Sequence, residues 1–478
     1  MRWFLKKRPQ LVCGLLLAFI NSSPSWSNVA AQDSSALAVG STIKTSETTL
    51  SEPIKSSAVI PGSFSPTLSR YFDPLQGTSA NDLVRRALTS NGELAAVRLE
   101  IERARARLQQ AGLRPNPSID FEQTTGRFTG SSGESELSVG LSLPLEPGGK
   151  RRKRIELART EVEAIEAEIA DRERRLAMEV RGLYVEALAA LRELGTLEEL
   201  NDLDLQTTRF VQARVNEGET APIELNQLRV EVDRLRSRCS LVEGRLQAAL
   251  LKLKSLSGLP PAEPLRLRED ITSPALPTPP LSMETAIDIA LRSRPDLRSA
   301  RLNEAVARAG LRLARAQRIP DVTPFTRYSY GRSVFDDTPV GTLRDRDKLL
   351  TFGVSVSLPL FNRNQGGEAE AAVAITQAAR RREFLEAVVR SEVHSAYARY
   401  DAARAAVTTF EQGVIPGSAA NVRTIRAAYE IGAFSITDLL SEQRRLVDAQ
   451  REFTEALAER YRALADLQAT MGTPVPQQ

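Results

Sequence analysis

Residues 155–194 read IELARTEVEAIEAEIADRERRLAMEVRGLYVEALAALREL, and this stretch decides the fold. Its apolar residues are spaced three and four residues apart in alternation, beginning with Ile155, Ala158, Val162, Ile165 and Ile169. This spacing is typical of the seam of a coiled coil. It predicts one helix over about residues 150–216, which is ~100 Å long at 1.5 Å per residue. A compact globular domain has no room for an element of that length.

The segments around this helix occur twice in the chain. Leu-Pro-Leu at 143–145 recurs at 358–360, and the glycine Gly218 recurs as Gly432. The offset between equivalent residues is 203 to 205 before Leu-Pro-Leu and 214 to 215 from there on, so extra residues precede its second copy. A single shift between constant offsets indicates an internal duplication. We predict a first repeat over 79–260, a Pro-rich linker over 261–281 and a second repeat over 282–478.

Each repeat has the same predicted order of elements. Two helices come first, two strands follow, and a very long helix then leads through a glycine turn to a last helix. The predicted helices cover about residues 80–91, 93–113, 150–216 and 221–257, and in the second repeat 283–293, 296–318, 367–430 and 435–471. The predicted fold class is therefore mainly α, with long antiparallel coiled-coil helices and a small sheet.

The predicted strands alternate between apolar and polar residues. Glu136–Leu143 and Thr351–Leu358 carry this pattern, and their predicted partners are Ser118–Gly126 and Val322–Tyr330. Such alternation is typical of a transmembrane barrel, although a half-buried sheet of a soluble protein has the same pattern. In a barrel, Ser138 and Ser355 would face the lumen. The residues predicted to face lipid are Leu137, Val139, Leu141, Phe352, Val354 and Val356.

Four strands per chain are too few to close a barrel, since about eight strands is the smallest common size. An open sheet edge cannot face lipid, so the chain must assemble around an axis. Three copies supply about 12 strands, and the long helices would continue that ring as a tunnel wall. The predicted assembly is a homotrimer in contact with membrane lipid.

The N-terminus has the pattern of a secretory signal peptide. Basic residues precede an apolar run over Leu11–Ile20, and small and polar residues follow, so a signal peptide is predicted over residues 1–31, with cleavage after Ser27 or after Ala31. The apolar run is shorter than the ~20 residues that span a bilayer. Residues 32–78 are rich in Ser, Thr, Pro and Ala and are predicted to form an extended or disordered leader.

Composition excludes several function classes. The net charge of +4 gives no reason to expect nucleic-acid binding. After the predicted signal peptide the chain holds one cysteine, Cys239, and one histidine, His394, which is too few donors for a transition-metal site. No phosphate loop or nucleophile motif is present, so we predict no enzyme activity, no cofactor and no metal site.

Taken together, the duplicated helix–strand–strand–helix order, the Leu-Pro-Leu strand ends and the glycine turns resemble the outer-membrane factor family of TolC-like export channels. The resemblance covers residues 79–474. Within the family, GGKRRKRI at 148–155 and PLFNRNQG at 359–366 resemble the CzcC branch, which serves cobalt, zinc and cadmium efflux. The resemblance implies a homotrimer in the outer membrane with a 12-stranded barrel and a 12-helix periplasmic tunnel. It also implies two partners, an inner-membrane pump of the resistance–nodulation–division type and a periplasmic adaptor.

The resemblance also implies roles for residues at the two glycine turns. Gly218 and Gly432, with Asn216 and Phe434, would form the tunnel mouth and the adaptor contact. Asp438 and Glu224 each lie six residues after a turn glycine and are candidates for a periplasmic gate, where three-fold symmetry would make each a ring of carboxylates. A solvated helix face is the competing interpretation of both acids. The family's gate often has two acidic residues one helical turn apart. Asp438 matches the first, whereas Ser441 stands at the second position with Glu442 beside it.

Three alternatives to a metal-efflux channel remain at this point. The same channel architecture serves drug or protein export, because the pump chooses the cargo. A periplasmic coiled-coil adaptor also contains long helical hairpins, but it would carry all-β domains that this chain lacks. A soluble enzyme is the third and weakest interpretation.

Overall fold

The computed structural model describes residues 66–128, 134–272, 282–335 and 343–472. Ten α-helices and one four-stranded sheet occur in these ranges. The helices are α1 Pro66–Tyr71, α2 Ala80–Ser90, α3 Gly92–Ala111, α4 Lys150–Asn216, α5 Pro222–Leu256, α6 Met283–Ser293, α7 Pro295–Ala316, α8 Gln365–Thr409, α9 Ile415–Glu430 and α10 Ile436–Thr470. The strands are β1 Ser118–Thr125, β2 Ser135–Ser142, β3 Val322–Phe335 and β4 Leu343–Val356.

The long helix α4 has the predicted bounds and is 67 residues long. It packs against α5, α3 and α10 and also against α7 of the second repeat, so the two repeats share one helical body. The order α2–α3–β1–β2–α4–α5 recurs as α6–α7–β3–β4–α8–α9–α10. The predicted duplication of secondary structure is therefore present in the fold.

Local sequence signals explain where several helices begin. Ser79 accepts a hydrogen bond from the backbone N–H of Asp82, and the Asp82 side chain accepts one from the Ser79 N–H, which is a capping box at the start of α2. Asn91 accepts from the N–H of Leu94 in the same way and begins α3. Each cap satisfies backbone donors that the first helical turn leaves without partners.

The main core lies where α2, α4, α5 and α10 meet, and it includes part of the predicted leader and linker. Tyr71 of α1 is buried in this core with Leu267 of the linker. The backbone N–H of Leu267 donates to the Tyr71 carbonyl at 2.8 Å, and the Asp73 N–H donates to the Leu267 carbonyl at 2.9 Å. Residues 66–78 are thus folded, which corrects the prediction of an extended or disordered leader over all of 32–78; residues 32–65 lie outside the described ranges.

Glu269 ties the linker to both repeats. Its carboxylate accepts hydrogen bonds from the Ala80 N–H at 3.0 Å and from the Tyr461 hydroxyl at 3.1 Å. The Glu269 N–H donates to the Tyr184 hydroxyl at 3.3 Å. Burial is the main cause that raises the pKa values of Tyr184 and Tyr461, so both hydroxyls stay neutral. Tyr461 donates to the Glu269 carboxylate, whereas Tyr184 donates to the Thr78 carbonyl at 3.1 Å.

The predicted helix over 367–430 is interrupted in the structure. Residues Phe410–Val414 form one π-helical turn between α8 and α9, and Pro416 lies in the first turn of α9. Proline has no N–H and its ring clashes with the carbonyl four residues earlier, so a regular α-helix cannot continue through this position. The prediction of one unbroken helix was wrong because it left Pro416 out of account.

The second hairpin is longer than predicted. Strands β3 and β4 have 14 residues each, whereas β1 and β2 have 8 each. The residues that the second repeat has in excess of the first therefore lie in this hairpin. Residues 343–350 were not predicted as strand because their sequence LRDRDKLL is charged and has no apolar alternation.

Candidate functional site

The register of the sheet places the predicted lipid-facing residues on one side. The sheet is an antiparallel meander in the order β1–β2–β3–β4. Val139 pairs with Tyr328 and Thr326 pairs with Phe352, and directly paired residues lie on the same face. Side chains at alternate positions of a strand lie on the same face. This face therefore also holds Leu137, Leu141, Val354 and Val356, and we call it the apolar sheet face.

The apolar sheet face is exposed in the single chain. Phe352 is 74% exposed and Val354 is 63% exposed, and on β1 Phe121 is 75% exposed. Helices cover neither these residues nor their neighbours, although apolar area left in water costs about 25 cal/mol per Å². A sheet face of this kind indicates an apolar surrounding or a partner.

The opposite face of the sheet is largely polar. The Ser118 and Ser142 hydroxyls are 2.7 Å apart, and Arg327 forms an ion pair with Glu122 at 3.4 Å. Ser138, predicted to face the lumen, lies on this side but is only 5% exposed. Ser355 lies on the same face and is exposed. Phe325, which packs over Gly353 of β4, and Leu349 interrupt the polar alternation on this face.

Both edges of the sheet are open. Among the described residues, no further strand pairs with the outer edge of β1 or of β4. Every residue of β1 is exposed or half-exposed. Unpaired edge strands present free backbone N–H and C=O groups, and these groups pair with another chain when one is available.

The basic run at the start of α4 is bound by the protein itself. The Lys150 ammonium lies 2.8 Å from Asp321, and the Arg151 guanidinium donates to the Gly112 carbonyl at 2.6 Å. Arg154 pairs with Glu146 through both of its terminal nitrogens, one of them at 2.9 Å. These contacts fasten the base of the sheet to the helices. No feature of the sequence predicts these partners.

The two glycine turns at the far ends of the long helices have the same geometry. Gly218 has φ +81° and Gly432 has φ +77°, a conformation that favours glycine. The residue after each glycine donates its N–H to the carbonyl five positions earlier, Glu219 to Arg214 at 2.9 Å and Ala433 to Ala428 at 2.8 Å. This is the Schellman arrangement, which ends a helix and reverses the chain.

An apolar cluster joins the two turns into one tip. It contains Val211 and Leu228 from the first repeat and Tyr429, Ile436 and Leu439 from the second, all buried. We call this region the helical tip. The turns that the sequence placed in separate repeats are therefore held side by side by direct packing.

Glu224 and Asp438 have equivalent places in the two repeats but different partners. Glu224 accepts a hydrogen bond from the Tyr429 hydroxyl at 3.0 Å, across the repeats. Burial and this carboxylate raise the pKa of Tyr429 to about 12. Asp438 instead caps α10: its carboxylate accepts from the Ser435 hydroxyl at 2.6 Å and from the Ser435 N–H at 3.1 Å. These bonds lower the pKa of Asp438, so it is ionised at neutral pH.

The capping role of Asp438 was visible in the sequence and was missed. Ser-Ile-Thr-Asp at 435–438 is the Ser-x-x-acid pattern of a capping box. In the first repeat Ala221 stands at the cap position, which frees Glu224 to bond Tyr429. Of the other predicted tip residues, Asn216 accepts a hydrogen bond from Gln212 at 2.9 Å, and Phe434 is 50% exposed.

A groove opens between α5 and α10 beside the tip. Its volume is about 330 Å³, and its lining includes Ile223, Val230 and Leu440. Ile223 and Val230 are 61% and 68% exposed. Arg444 forms an ion pair with Glu231 at 2.7 Å and holds the two helices together at this groove. The helical tip thus presents an exposed apolar surface as well as exposed carboxylates.

The residues described in the structure contain no group of three or more His, Cys, Asp or Glu side chains arranged to hold a metal ion. Burial raises the pKa of the half-buried Cys239 thiol to about 11, which disfavours the thiolate that binds metals. In the same ranges no helix has an apolar stretch long enough to cross a membrane.

The sequence pattern of the outer membrane efflux protein family matches residues 83–259 and 286–473, which is most of both repeats. The chain belongs to this family. Members of the family are outer-membrane channels, so the predictions of an outer-membrane location and of no enzyme activity are confirmed. The two matched ranges also coincide with the two structural repeats.

Individual relatives agree with this family. The cobalt-zinc-cadmium resistance protein CzcC of Cupriavidus metallidurans is 24% identical over 394 residues, which cover 81% of this chain and 88% of that one. The pyoverdine export outer membrane protein OpmQ of Pseudomonas aeruginosa is 26% identical over 425 residues, covering 82% and 83%. The crystal structure of CusC superposes with a TM-score of 0.69 at 22% identity and covers 84% of this chain and 94% of that one. The predicted resemblance to TolC-like channels and to CzcC is confirmed.

Proposed function

We propose that this outer-membrane efflux channel serves as the exit channel of a tripartite pump that exports heavy-metal cations. The main support for this proposal is the four-stranded sheet, because its apolar face is exposed and, among the described residues, both of its edges are unpaired. Within a bilayer every backbone group needs a partner, so a four-stranded sheet with open edges requires further copies of the chain. A homotrimer closes about 12 strands into a barrel, and the long helices extend from its base as a periplasmic tunnel.

The helical tip supports the proposed partners. Its groove between α5 and α10 exposes Ile223 and Val230, which suits an amphipathic helix laid into an apolar groove. We propose that a periplasmic adaptor binds here and around Gly218, Gly432, Asn216 and Phe434. The adaptor would connect the channel to an inner-membrane pump of the resistance–nodulation–division type.

Heavy-metal cations are the proposed cargo because several relatives carry that role in their names. Besides CzcC they include the nickel-cobalt-cadmium resistance protein NccC and the cation efflux system protein CusC. A conduit needs no tight metal site, since a tightly bound ion would not leave it. Export of an organic molecule is the second candidate, supported by the two OpmQ relatives, whose names give pyoverdine export.

Deletion of the gene in its host tests the cargo. We expect the deletion strain to tolerate severalfold less Zn²⁺, Co²⁺ or Cd²⁺ and to keep its tolerance of a lipophilic antibiotic. A plasmid copy of the chain should restore metal tolerance. Unchanged metal tolerance together with lost antibiotic tolerance or lost siderophore release would favour the second candidate.

A further inference from the structure

The second hairpin carries a group of cations beyond the apolar sheet face. In the register of β3 and β4, Tyr330 pairs with Lys348, Arg332 with Arg346 and Val334 with Arg344. These residues follow Tyr328 and Phe352 at even spacing, so all of them lie on the same side of the sheet as the apolar face. We call Arg332, Arg344, Arg346 and Lys348 the cationic hairpin face. All four are exposed.

The acidic residues within the described strands of this hairpin lie on the other side. Asp345 pairs with Ser333 and Asp347 pairs with Gly331, which are odd-numbered positions in both strands. Glu136 of β2 also pairs with Gly331 and lies on that opposite side. Beyond Arg327, which lies on the polar face and is paired with Glu122, charge is therefore separated by face along this hairpin, with cations on the apolar side and carboxylates on the polar side.

This arrangement is unfavourable for the chain alone. Arg332 and Arg346 are directly opposite each other, and like charges at such positions destabilise a sheet. On the other side of Arg332 the register places Ser135, which is uncharged. Within the described ranges, no ion pair joins any of the four cations to a carboxylate. An anion from outside the chain would relieve this repulsion.

The position of the cations relative to a bilayer identifies that anion. Val322–Tyr330 has the length of a transmembrane strand, about 9–11 residues. Arg332 lies two residues beyond Tyr330, ~7 Å farther along the strand at ~3.3 Å per residue. Its partner Arg346 lies at the same level on β4. The helices α7 and α8 adjoin the opposite end of the hairpin, at Val322 and Val356. The cations thus lie where headgroups begin, in the leaflet farther from the helices.

We propose that the cationic hairpin face binds the phosphate groups of anionic lipids in the outer leaflet of the outer membrane. The inference rests on the proposed barrel, because only that arrangement turns this face toward lipid. Guanidinium groups suit the task, since their planar forks bind phosphate through two hydrogen bonds at once. The continuity with the apolar sheet face favours a lipid over a soluble partner, because acyl chains and headgroups would contact adjoining surfaces of the same strands.

The test measures lipid binding by the intact chain. The protein is inserted into phosphatidylcholine bilayers containing bisphosphorylated lipid A or its dephosphorylated form, and the lipid A retained per chain is quantified after extraction. We expect the phosphorylated form to be enriched, and Arg332→Gln, Arg346→Gln and Lys348→Gln each to weaken its retention about fivefold. The double variant Asp345→Asn/Asp347→Asn is the matched control on the opposite face and should retain as much as the unmodified chain.

Three outcomes would overturn the inference. Equal retention of both lipid forms would mean that phosphate is not recognised, and full retention by the Gln variants would mean that these cations do not bind it. Displacement of lipid A by an equal concentration of inorganic phosphate would show a site for free anions instead of lipid. Membrane insertion is scored separately by protease protection: failure of the unmodified chain to insert would also remove the proposed barrel, whereas insertion without lipid preference removes the inference alone.

Discussion

At the scale of single residues, Asp204 shows how the helical body tolerates a buried acid. Its side chain is 1% exposed on α4, and Gln443 of α10 donates a hydrogen bond to one carboxylate oxygen at 3.0 Å. The other oxygen and the Gln443 carbonyl oxygen have no hydrogen-bond partner among the described residues. Burial is the main cause that raises the pKa of Asp204 to about 6; the hydrogen bond from Gln443 opposes this rise, the Glu231 charge adds to it and the Arg426 charge opposes it.

The raised pKa makes a prediction about stability and pH. Because the folded-state pKa exceeds the ordinary value of 3.8, folding favours the protonated form. This stabilisation is fully present below about pH 4 and is lost as the pH rises through about 6. Asp204→Asn should therefore raise the stability of the fold at pH 8 by about 2–3 kcal/mol, since each pKa unit is worth ~1.4 kcal/mol. Its amide can also donate to the Gln443 carbonyl oxygen.

Thermal denaturation of purified protein at pH 5 and pH 8 checks this expectation. Asp204→Asn should melt at a higher temperature than the unmodified chain at pH 8, with a smaller difference at pH 5. Asp202→Asn, an exposed acid of the same helix, is the control and should change neither value. A destabilised Asp204→Asn at pH 8 would show that the carboxylate is bound by a partner that the described contacts do not include.

A second residue-scale prediction separates the charge of Asp438 from its capping role. Asp438→Asn removes the charge and keeps an oxygen that accepts hydrogen bonds, whereas Ser435→Ala removes the capping partner and keeps the charge. If three Asp438 carboxylates ring a narrow pore, Asp438→Asn should weaken cation preference and divalent-cation block in planar bilayers, and Ser435→Ala should not. The reverse pattern, or no change in either variant, would make Asp438 a capping residue alone.

At the scale of elements, the π-helical turn between α8 and α9 follows from Pro416. The Ile415 N–H donates to the Phe410 carbonyl, five residues back, so the turn is wider than an α-helical one. The Phe410 ring stacks against Phe453 of α10 with centroids 6.0 Å apart, and the Arg192 guanidinium lies 5.3 Å from the Phe453 ring centroid. The wide turn therefore lies directly under an aromatic contact between helices.

Replacing this proline tests its cost. Pro416→Ala restores a backbone donor in a helical stretch where proline costs ~3 kcal/mol relative to alanine. Part of that cost is already absorbed by the π turn, so we expect a gain of about 1 kcal/mol or more in the free energy of unfolding. The control is Pro295→Ala at the first position of α7, where proline is well tolerated and no gain is expected. Equal effects of the two variants would mean that Pro416 does not cause the π turn.

The helices and strands differ in how well the sequence predicts them. The long helix α4 was predictable because its seam repeats over many turns, and the glycine turns because a positive φ is a local demand on Gly218 and Gly432. The burial of Tyr71 and Glu269 was not predictable, since the side chains and backbone groups to which their own side chains bond are 172 to 192 residues away in the chain. The outer half of β4 was missed because its pairing with β3 depends on the partner strand and not on apolar alternation.

The candidate site likewise has features that the sequence predicts and features that it does not. The six residues predicted to share one sheet face do so, because alternation along a strand needs only the residue count. The partners of Glu224 and Asp438 differ although the two acids are equivalent in sequence, since one repeat has Ser435 at the helix cap and the other has Ala221. Equivalent positions in the two repeats therefore do not predict whether an acid caps its helix or bonds to the other repeat.

At the scale of the whole molecule, the open sheet makes a joint prediction about membrane and assembly. Val354 and Ser355 are neighbours on β4, both exposed in the single chain but on opposite faces. Arginine at a lipid-facing position costs ~2–4 kcal/mol at the bilayer midplane and less toward the interfaces, whereas a lumen position tolerates it. Ser138, the other predicted lumen residue, is too buried to serve as a control.

We therefore expect Val354→Arg to lower the yield of folded trimer in native mass measurements of detergent-extracted protein, and Ser355→Arg to leave it unchanged. The two variants share charge, strand and depth and differ only in face, so a difference between them reports the surroundings of that face. A stable folded monomer in the unmodified chain would contradict the proposed barrel, because a single copy leaves β1 and β4 unpaired. Equal loss in both variants would mean that the sheet has no lipid side, and a soluble sheet packed on a partner would then explain its exposed face.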